Sequence, residues 1–302
     1  MYDIVVIGGG PAGMTAALYA SRAGKKVMLL EENAFGGQIA TAPRVENFPS
    51  VEEIAGAQLA EKMFNQVVSQ GVDFDMGKGV VEKTSDGFCV KTEYGEFPCK
   101  AVVLATGVSH KTLGLENEKR LAENGVCYCA VCDGAFYKGK NVCVVGDGNS
   151  AAQYALYLAE ICNQVHLLTL FDRLFCDSTL TQRIVAKQNI VWVKNVSVCD
   201  IVGDERVQGV AYRDNDGAIT YADTDAVFVA IGQHPHNGDF AHLVQLDEKG
   251  YIVASEDCKT SCEGIFAAGD CRQKGVRQCA TAVGDGAVAG FSAAMYVDSL
   301  KN

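Results

Sequence analysis

The 302-residue sequence lacks an apolar run long enough to cross a membrane, and it lacks a charged N-terminal stretch followed by a cleavable apolar segment. It also lacks an excess of positive charge, because 26 Lys and Arg stand against 37 Asp and Glu, for a net charge of −11. We therefore expect a cytoplasmic protein with no membrane anchor and no general affinity for nucleic acid or anionic membranes.

The thirteen cysteines lack the even number and the regular framework of small secreted, disulfide-bonded proteins. Most stand singly in apolar segments, as Cys143 does in NVCVVG, and are predicted to be reduced and to pack as small apolar residues. Iron–sulfur ligation is not favoured either, because ferredoxin-type spacings are not matched by the last four cysteines, Cys258, Cys262, Cys271 and Cys279.

Glycine is abundant where it matters for nucleotide binding. The apolar segment YDIVVIGGG runs into a glycine turn that contains Gly8, Gly10 and Gly13, and a segment of helical character follows. The next apolar segment, KKVMLLEE, ends at Glu31, close to the roughly 20 residues after the glycines at which a carboxylate meets a ribose hydroxyl. Such glycines let the backbone approach a pyrophosphate, and the helix N-terminus adds positive potential. A dinucleotide-binding unit is predicted here.

The same pattern returns in NVCVVGDGNSAAQYALYLAEICNQVHLLTL, which again predicts strand, glycine turn, helix and strand. The two units also end alike, in AVVLATG at 101–107 and AVFVAIG at 226–232. Turn signals in TSDGF and DNDGA predict a hairpin within each unit. The chain therefore contains an internal repeat at the scale of a domain.

The C-terminal segment GIFAAGDCRQKGVRQCATAVGDGAVAGFSAAMY predicts one more strand, a Gly-Asp turn and a long helix of small residues. Its expected place is on the first unit. The predicted fold is α/β, with two three-layer Rossmann-like nucleotide-binding domains, the second inserted in the first. The first domain would span 1–112 and 237–302, and the second 113–236. The alternative is two successive domains with an irregular tail.

One cysteine cluster has its own chemistry. Cys129 and Cys132 are spaced as CxxC just before the second glycine unit, so they can form a small disulfide whose reactivity depends on thiolate character. The adjacent Asp133 can move the proton of thiol–disulfide exchange. A zinc knuckle that includes Cys127 is the alternative, but no second CxxC and no nearby histidine supply its remaining ligands. Redox chemistry is favoured.

These motifs together resemble the low-molecular-weight thioredoxin reductases. GGGPAG, GGQ at 36–38, VENFP at 45–49, ATG at 105–107, CAVCDG, GIFAAGD and RQCATA follow one another in that family's order over essentially the whole chain. The resemblance implies an oxidoreductase and flavoprotein that carries FAD in its first domain and the redox-active CxxC in its inserted domain. It further implies thioredoxin as substrate and a homodimer.

By position, the resemblance implies the following FAD-binding residues: Gly8, Gly10, Pro11, Ala12, Gly13, Glu31, Gly37, Gln38, Asn47, Ala105, Thr106, Gly107, Gly269, Asp270, Arg277, Gln278 and Cys279. Turn capping is the alternative role of Gln38 and Asn47. In the dithiol, Cys132 would face the flavin and Cys129 would attack the thioredoxin disulfide, with Asp133 as the acid–base group.

One stretch departs from the family. Members that use NADPH carry His-Arg-Arg and a further Arg where this chain has Thr169, Leu170, Phe171 and Phe175. Each charge-assisted bond so lost is worth about 1.5–3 kcal/mol. NADH is not clearly favoured instead, because the strand does not end in an acid and Asp172 comes three residues late.

In this loss the chain resembles the ferredoxin-dependent flavin thioredoxin reductases, which keep FAD and the CxxC but take electrons from ferredoxin. The resemblance therefore implies reduced ferredoxin as the electron donor. Two alternatives stay open. One is an NADH- or NADPH-dependent thioredoxin reductase with an atypical ribose site. The other is a non-turnover flavoprotein redox sensor, which no appended effector segment supports. Because ferredoxins are commonly acidic, a local basic patch would be needed for docking. Its candidates are Arg272 with Lys274, or Lys25 with Lys26.

Overall fold

The computed structural model describes residues 1–42 and 44–301. The chain divides into two compact units. The first unit is discontinuous and consists of Met1–Ser109 together with the chain from His234 onward, whereas the second is His110–Gln233.

The elements follow one another in the order that the sequence predicts. The first stretch forms β1 (Tyr2–Ile7), α1 (Pro11–Arg22), β2 (Val27–Glu31), α2 (Gly56–Ser69), β3 (Asp73–Met76), β4 (Val80–Thr84), β5 (Gly87–Lys91), β6 (Glu96–Leu104) and β7 (Val108–His110). The middle stretch forms α3 (Glu116–Arg120), β8 (Val126–Cys127), α4 (Ala130–Asp133), β9 (Asn141–Val145), α5 (Asn149–Ala159), β10 (Gln164–Leu168), α6 (Ser178–Ala186), β11 (Ile190–Val193), β12 (Val196–Val202), β13 (Gly209–Asp214), β14 (Ile219–Asp223) and β15 (Ala226–Val229). The last stretch forms β16 (Gln233–Pro235), β17 (Ile265–Ala267) and α7 (Cys279–Ser299).

The sheet of the first unit has the order β3-β2-β1-β6-β5-β4, with β17 also paired to β6. The strands β3, β2, β1, β6 and β17 run parallel, whereas β4 and β5 form an antiparallel hairpin closed by the pair Thr84 and Gly87. This is the hairpin predicted from TSDGF. Because parallel strands end at the same edge of a sheet, the turns that follow β1, β2 and β17 are brought to one edge.

Both faces of this sheet are covered. Ile4 and Val6 belong to a core shared with α1 and α7, and Val5 and Ile7 belong to a second core shared with Phe240. This is why β1 is a continuous apolar run rather than an alternating one. The small residues of α7 bring it against the backbone of α1, since a Cβ on Gly286 would lie 2.2 Å from the Ala12 carbonyl oxygen.

The second unit repeats the plan. Its parallel sheet has the order β11-β10-β9-β15-β8, and β12, β13 and β14 form a separate antiparallel sheet. The hairpin of β13 and β14 is the one predicted from DNDGA, with Arg213 paired to Ile219. The predicted α/β fold of two Rossmann-like units, the second inserted in the first, is confirmed. Within the part of the chain that the structure covers, no helix combines the length and the apolar character needed to span a membrane.

Candidate cofactor and dithiol sites

The first glycine turn is closed by backbone contacts. Gly8 has a φ of 109° and its amide donates to the Leu30 carbonyl oxygen at 2.8 Å. A Cβ on Gly8 would lie 2.2 Å from the Ala105 carbonyl oxygen, and a Cβ on Gly13 would lie 1.8 Å from that of Gly8. The turn can therefore form only with glycine at both positions, and it brings Gly8, Gly13 and Ala105 together.

The outer side of this turn is open. Gly10 is the N-cap of α1 in extended conformation, with Pro11 at the start of the helix, and no side chain caps the helix. The nearest neighbour of a Cβ on Gly10 would be the Cα of Gly37, at 3.9 Å. The amides of the first helical turn are thus available to an anion, as a pyrophosphate site requires.

Glu31 lies beside the same turn at the end of β2. Its Oε2 accepts a hydrogen bond from the Gly9 amide at 2.6 Å, and its Oε1 accepts one from the Asn33 amide at 2.8 Å. Both oxygens keep a lone pair for further donors such as ribose hydroxyls. Gly9 also faces the ring of Phe35, whose Cδ1 would lie 2.5 Å from a Cβ there.

The Gly-Asp turn after β17 completes this edge of the sheet. Gly269 lies against α1, because a Cβ on it would be 2.7 Å from that of Ala12. The neighbouring Asp270 has a buried Oδ1 that finds no hydrogen-bond partner among the residues described, and burial raises the pKa of its carboxyl. Such an acceptor calls for a donor from outside the chain. The open glycine cradle, Glu31 and this orphaned oxygen together fit the pyrophosphate, ribose and ribityl groups of FAD.

Two of the remaining predicted residues are tied to distant segments. The Gln38 amide donates to the Val108 carbonyl oxygen at 2.7 Å, and the Asn47 amide donates to Gln278 Oε1 at 3.2 Å. Both bonds connect parts of the chain far apart in sequence, so neither is local turn capping. Whether these side chains also contact a flavin stays a prediction.

The last predicted residues surround the start of α7, where Gln278 is the N-cap and Cys279 the first residue. The Arg277 guanidinium lies 4.1 Å from the centre of the Tyr251 ring, and its Nε donates to the Asp270 carbonyl oxygen at 3.4 Å. Burial, and next the charge of Asp270, raise the pKa of Cys279 to about 11. This thiol is therefore protonated at neutral pH.

The loop after β6 contains three further predicted FAD-binding residues, Ala105, Thr106 and Gly107. The Thr106 hydroxyl donates to Asn237 Oδ1 at 3.0 Å, and the buried Asn237 amide donates to the carbonyl oxygens of Gly250 and Cys271 at 2.9 and 2.8 Å. Gly107 next to it has no described atom within 4 Å of a Cβ position. Asn237 thus links three loops of the first unit.

The CxxC of the second unit forms a disulfide between Cys129 and Cys132, whose Cα atoms are 5.3 Å apart. Cys129 is the N-cap of the short α4, and its Sγ accepts a hydrogen bond from the Cys132 amide at 3.2 Å. Cys132 is exposed and Cys129 half-buried. Behind them Gly134 lies against α5, since a Cβ there would be 2.8 Å from Leu158 Cδ2.

Asp133 is the last residue of α4, directly after Cys132, and is half-buried. Burial raises the pKa of its carboxyl to about 6. Burial, and next the charge of Asp133, also raise the pKa of Tyr154, which places the carboxylate within electrostatic reach of that phenol. A carboxyl that titrates close to neutral pH can both accept and donate a proton during exchange.

The second glycine turn copies the first. Gly146 has a φ of 145°, its amide donates to the Leu168 carbonyl oxygen at 3.1 Å, and a Cβ on it would lie 2.4 Å from the Ala230 carbonyl oxygen. Gly148, the N-cap of α5, is open like Gly10. The turn keeps the geometry of a dinucleotide site.

The strand end beside this turn has apolar surface where cations would be needed. Leu170, Phe171 and Phe175 are 55%, 48% and 51% exposed. Thr169 is buried and accepts a hydrogen bond from the Trp192 indole at 3.0 Å. The nearest charge on the turn itself is negative, because Asp147 Oδ1 accepts a hydrogen bond from the Phe171 amide at 3.1 Å. An acid and two aromatic rings therefore border the turn.

The suggested basic docking patch is wrong. Arg272 and Lys274 are nearly buried and pair with Asp285 at 3.1 and 2.8 Å, and Lys25 is buried and pairs with Asp298 at 2.6 Å. These cations are held in ion pairs within the first unit and are not presented to solvent. Only Lys26 of the four is exposed, and its ammonium lies over the Tyr2 ring.

The other cysteines are free thiols, eleven in all and mostly buried, as the sequence predicts. Over residues 1–42 and 44–301, no group of three or more His, Cys, Asp or Glu side chains is arranged to hold a metal ion. The zinc-knuckle and iron–sulfur alternatives gain no support from these positions.

Sequence reasoning missed two residues that organise the cofactor edge, Asn237 and Asp285. Asn237 stands in an Asn-Gly pair, which signals a turn but not a buried amide. Asp285 had a signal that could have been used, because it is the one charged side chain between Cys279 and Val297 in a long helix of small residues.

Comparisons with known proteins agree over the full length of the chain. The family model described as "Pyridine nucleotide-disulphide oxidoreductase" matches residues 2–286. Thioredoxin reductase of Bacillus subtilis is 39% identical, covering 100% of this chain and 96% of that protein, and thioredoxin reductase of Listeria monocytogenes is 38% identical, covering 100% and 95%. The crystal structure of thioredoxin reductase from Streptococcus pyogenes superposes with a TM-score of 0.95 at 38% identity over 99% of both chains.

Proposed function

The chain belongs to the pyridine nucleotide-disulphide oxidoreductase family, and from this premise we propose that it is a thioredoxin reductase that takes its electrons from reduced ferredoxin. It is an FAD-binding flavoprotein, as the thioredoxin reductases of this family are. When bound, FAD supplies the step between single-electron donors and the two-electron reduction of a disulfide. We assign it to a domain of residues 1–112 and 237–302, and the dithiol to the inserted residues 113–236.

In the proposed chemistry the two cysteines and Asp133 carry out the reduction of the thioredoxin disulfide. The Cys129 thiolate attacks one sulfur of the thioredoxin disulfide, and the other thioredoxin sulfur leaves as a thiolate. Cys132 then attacks Cys129, which releases the first thioredoxin sulfur and restores the Cys129–Cys132 disulfide. Asp133 removes the proton from the attacking thiol and returns it to the leaving sulfur, for which a pKa of about 6 is suited.

The observation that carries the ferredoxin proposal is the strand end of the second unit. Exposed Leu170, Phe171 and Phe175 offer no charge-assisted bond to a ribose phosphate, and Asp147 places negative charge at the glycine turn. Replacing the cations at these three positions with apolar side chains lowers nucleotide affinity by orders of magnitude, since each lost bond is worth about 1.5–3 kcal/mol. The exposed Arg173 of the same segment lies against the Phe175 ring, with its guanidinium 5.0 Å from the ring centre. A protein donor that delivers electrons to the flavin needs no such site.

The second candidate is an NADH- or NADPH-dependent thioredoxin reductase. The geometry of Gly146 and the open Gly148 favour it, because the turn that would hold a pyrophosphate is intact. In that case the exposed Asp172 is the group within this segment that could accept from ribose hydroxyls.

We also propose a cytoplasmic homodimer. The eleven free thiols suit a reducing compartment. For the dimer, α7 carries an exposed apolar stripe of Val288, Phe291 and Met295, which are spaced to share one face of the helix. Burial of this stripe against a second copy would remove it from water.

The deciding experiment compares electron donors under anaerobic conditions. Holoprotein is mixed in stopped flow with reduced ferredoxin, NADPH or NADH, and the flavin absorbance is followed. We expect rapid bleaching by ferredoxin and none at a useful rate by either nucleotide. Rapid bleaching at micromolar NADPH or NADH would replace the ferredoxin assignment with the second candidate.

Three variants complete this test. Cys129→Ser and Cys132→Ser should keep bound FAD and its bleaching by ferredoxin but lose reduction of thioredoxin. Gly148→Ala has open space for its methyl group, so it should leave turnover unchanged if the second turn holds no pyrophosphate. A loss of turnover in Gly148→Ala would argue for a nucleotide at that turn.

A further inference from the structure

The turn that follows β17 is held by an ion-pair network with no part in the proposed reaction. Asp285, in the second turn of α7, accepts hydrogen bonds from the Gly269 amide at 3.1 Å, from Arg272 Nη1 at 3.1 Å and from Lys274 Nζ at 2.8 Å. The side chains of Arg272, Lys274 and Asp285 are only 13%, 11% and 16% exposed. One carboxylate is thus shared by two nearly buried cations.

A second carboxylate, that of Asp270, lies close to one of these cations, Lys274. Burial is the main cause of the raised pKa of Asp270, but the charges of Lys274 and Arg277 lower that pKa and the charge of Asp285 raises it. Lys274 is therefore within electrostatic reach of both acids. Its ammonium bonds to Asp285 and to the Thr281 carbonyl oxygen at 3.4 Å, while Asp270 Oδ1 stays buried without a partner in the part of the chain described.

A buried ammonium has to be paired, and the carboxylate that takes it has fewer lone pairs left for any other donor. If Lys274 turned to Asp270, the oxygen that fits a cofactor hydroxyl would already be satisfied. We propose that Asp285 is a positioning residue for FAD: it holds Lys274 away from Asp270 and fastens the Gly269 turn to α7, so that Asp270 stays available to the cofactor. This inference rests on the proposed assignment of FAD to the first unit.

The test is a set of FAD affinities measured by titrating apoprotein with FAD, together with the melting temperature of each apoprotein. Asp285→Asn keeps the size of the side chain but releases both cations. We expect it to weaken FAD binding about tenfold or more, the loss of about one charge-assisted hydrogen bond. Asp298→Asn is the matched control, because Asp298 is also on α7 and also pairs with two lysines, Lys25 at 2.6 Å and Lys301 at 2.9 Å.

Two further variants separate this role from general stabilisation. Lys274→Gln alone should bind FAD like the wild type, because the ammonium is held away from the cofactor. Added to Asp285→Asn, it should recover most of the lost affinity even where the melting temperature stays low. The inference is overturned if Asp285→Asn binds FAD as well as Asp298→Asn, if the double variant recovers nothing, or if Lys274→Gln alone weakens FAD. Failure of wild-type apoprotein to bind FAD would instead reject the cofactor assignment.

Discussion

At the scale of single residues, we expect Asp133 to set the pH dependence of the dithiol. Its folded pKa of about 6 lies above the ordinary value of 3.8, because burial disfavours the charged form. The proton it binds therefore stabilises the fold fully below about pH 4, and this contribution is lost as the pH rises through 6. Above pH 6 the carboxylate is charged, at a cost in solvation, and is able to act as a base.

We expect Asp133→Asn to slow reduction of thioredoxin by prereduced protein about a hundredfold, the lower range for loss of a general acid–base group. The variant should also lose the ionisation near pH 6 from the pH profile of that step, and its stability should no longer fall between pH 4 and 6. Single-turnover kinetics and urea unfolding across pH 4–8 measure both effects. A profile that keeps the ionisation near pH 6 would assign it to another group.

At the scale of elements, two glycines of the β1–α1 turn are expected to serve different purposes, Gly13 in folding and Gly10 in cofactor binding. Gly13→Ala would place a methyl group 1.8 Å from the Gly8 carbonyl oxygen, so we expect it to destabilise the first unit by about 3 kcal/mol or more and to lose FAD. Gly10→Ala meets nothing closer than 3.9 Å and has a φ of −76°, so the fold should persist.

If the pyrophosphate approaches the backbone at Gly10, Gly10→Ala should still lose FAD affinity at an unchanged melting temperature of the apoprotein. FAD titration and thermal unfolding of both apoproteins check this pair. Normal FAD affinity in Gly10→Ala would mean that the cofactor does not approach this part of the turn.

What could be predicted from the sequence was mostly local. An apolar run followed by a glycine turn specifies β1 with α1, or β9 with α5, within a few dozen residues, and the repeat then fixes the fold. Side-chain contacts between segments far apart in the sequence could not be predicted. Thr106 meets Asn237 across 131 residues, and Lys25 pairs with Asp298 at the far end of the chain, which sequence alone does not reveal. For this reason the prediction of a basic docking patch was wrong, whereas the prediction of a glycine turn after β1 agrees with the structure.

At the scale of the whole molecule, charge governs the encounter with the donor. The protein carries a net charge of −11, and three of its four suspected docking cations are buried in ion pairs. With a commonly acidic ferredoxin the long-range force is then repulsive, and salt screens it. We expect the second-order rate of flavin reduction by ferredoxin to rise, or to stay level, as salt is increased from low to physiological ionic strength. Stopped-flow rates at several salt concentrations give the sign. A steep fall would reveal a basic docking surface elsewhere.

If ferredoxin is the donor as proposed, the second glycine turn shows how a nucleotide site can lose its ligand while its fold is kept. A side chain at Gly146 would collide with the Ala230 backbone, whereas Leu170, Phe171 and Phe175 are each about half exposed. Mutation can therefore erase the residues that recognise a ligand at almost no cost in folding, while selection for a folded protein goes on preserving the motif that once served it. A glycine fingerprint can persist in a protein that no longer binds the nucleotide. The exposed residues around the fingerprint then indicate present binding better than the fingerprint does.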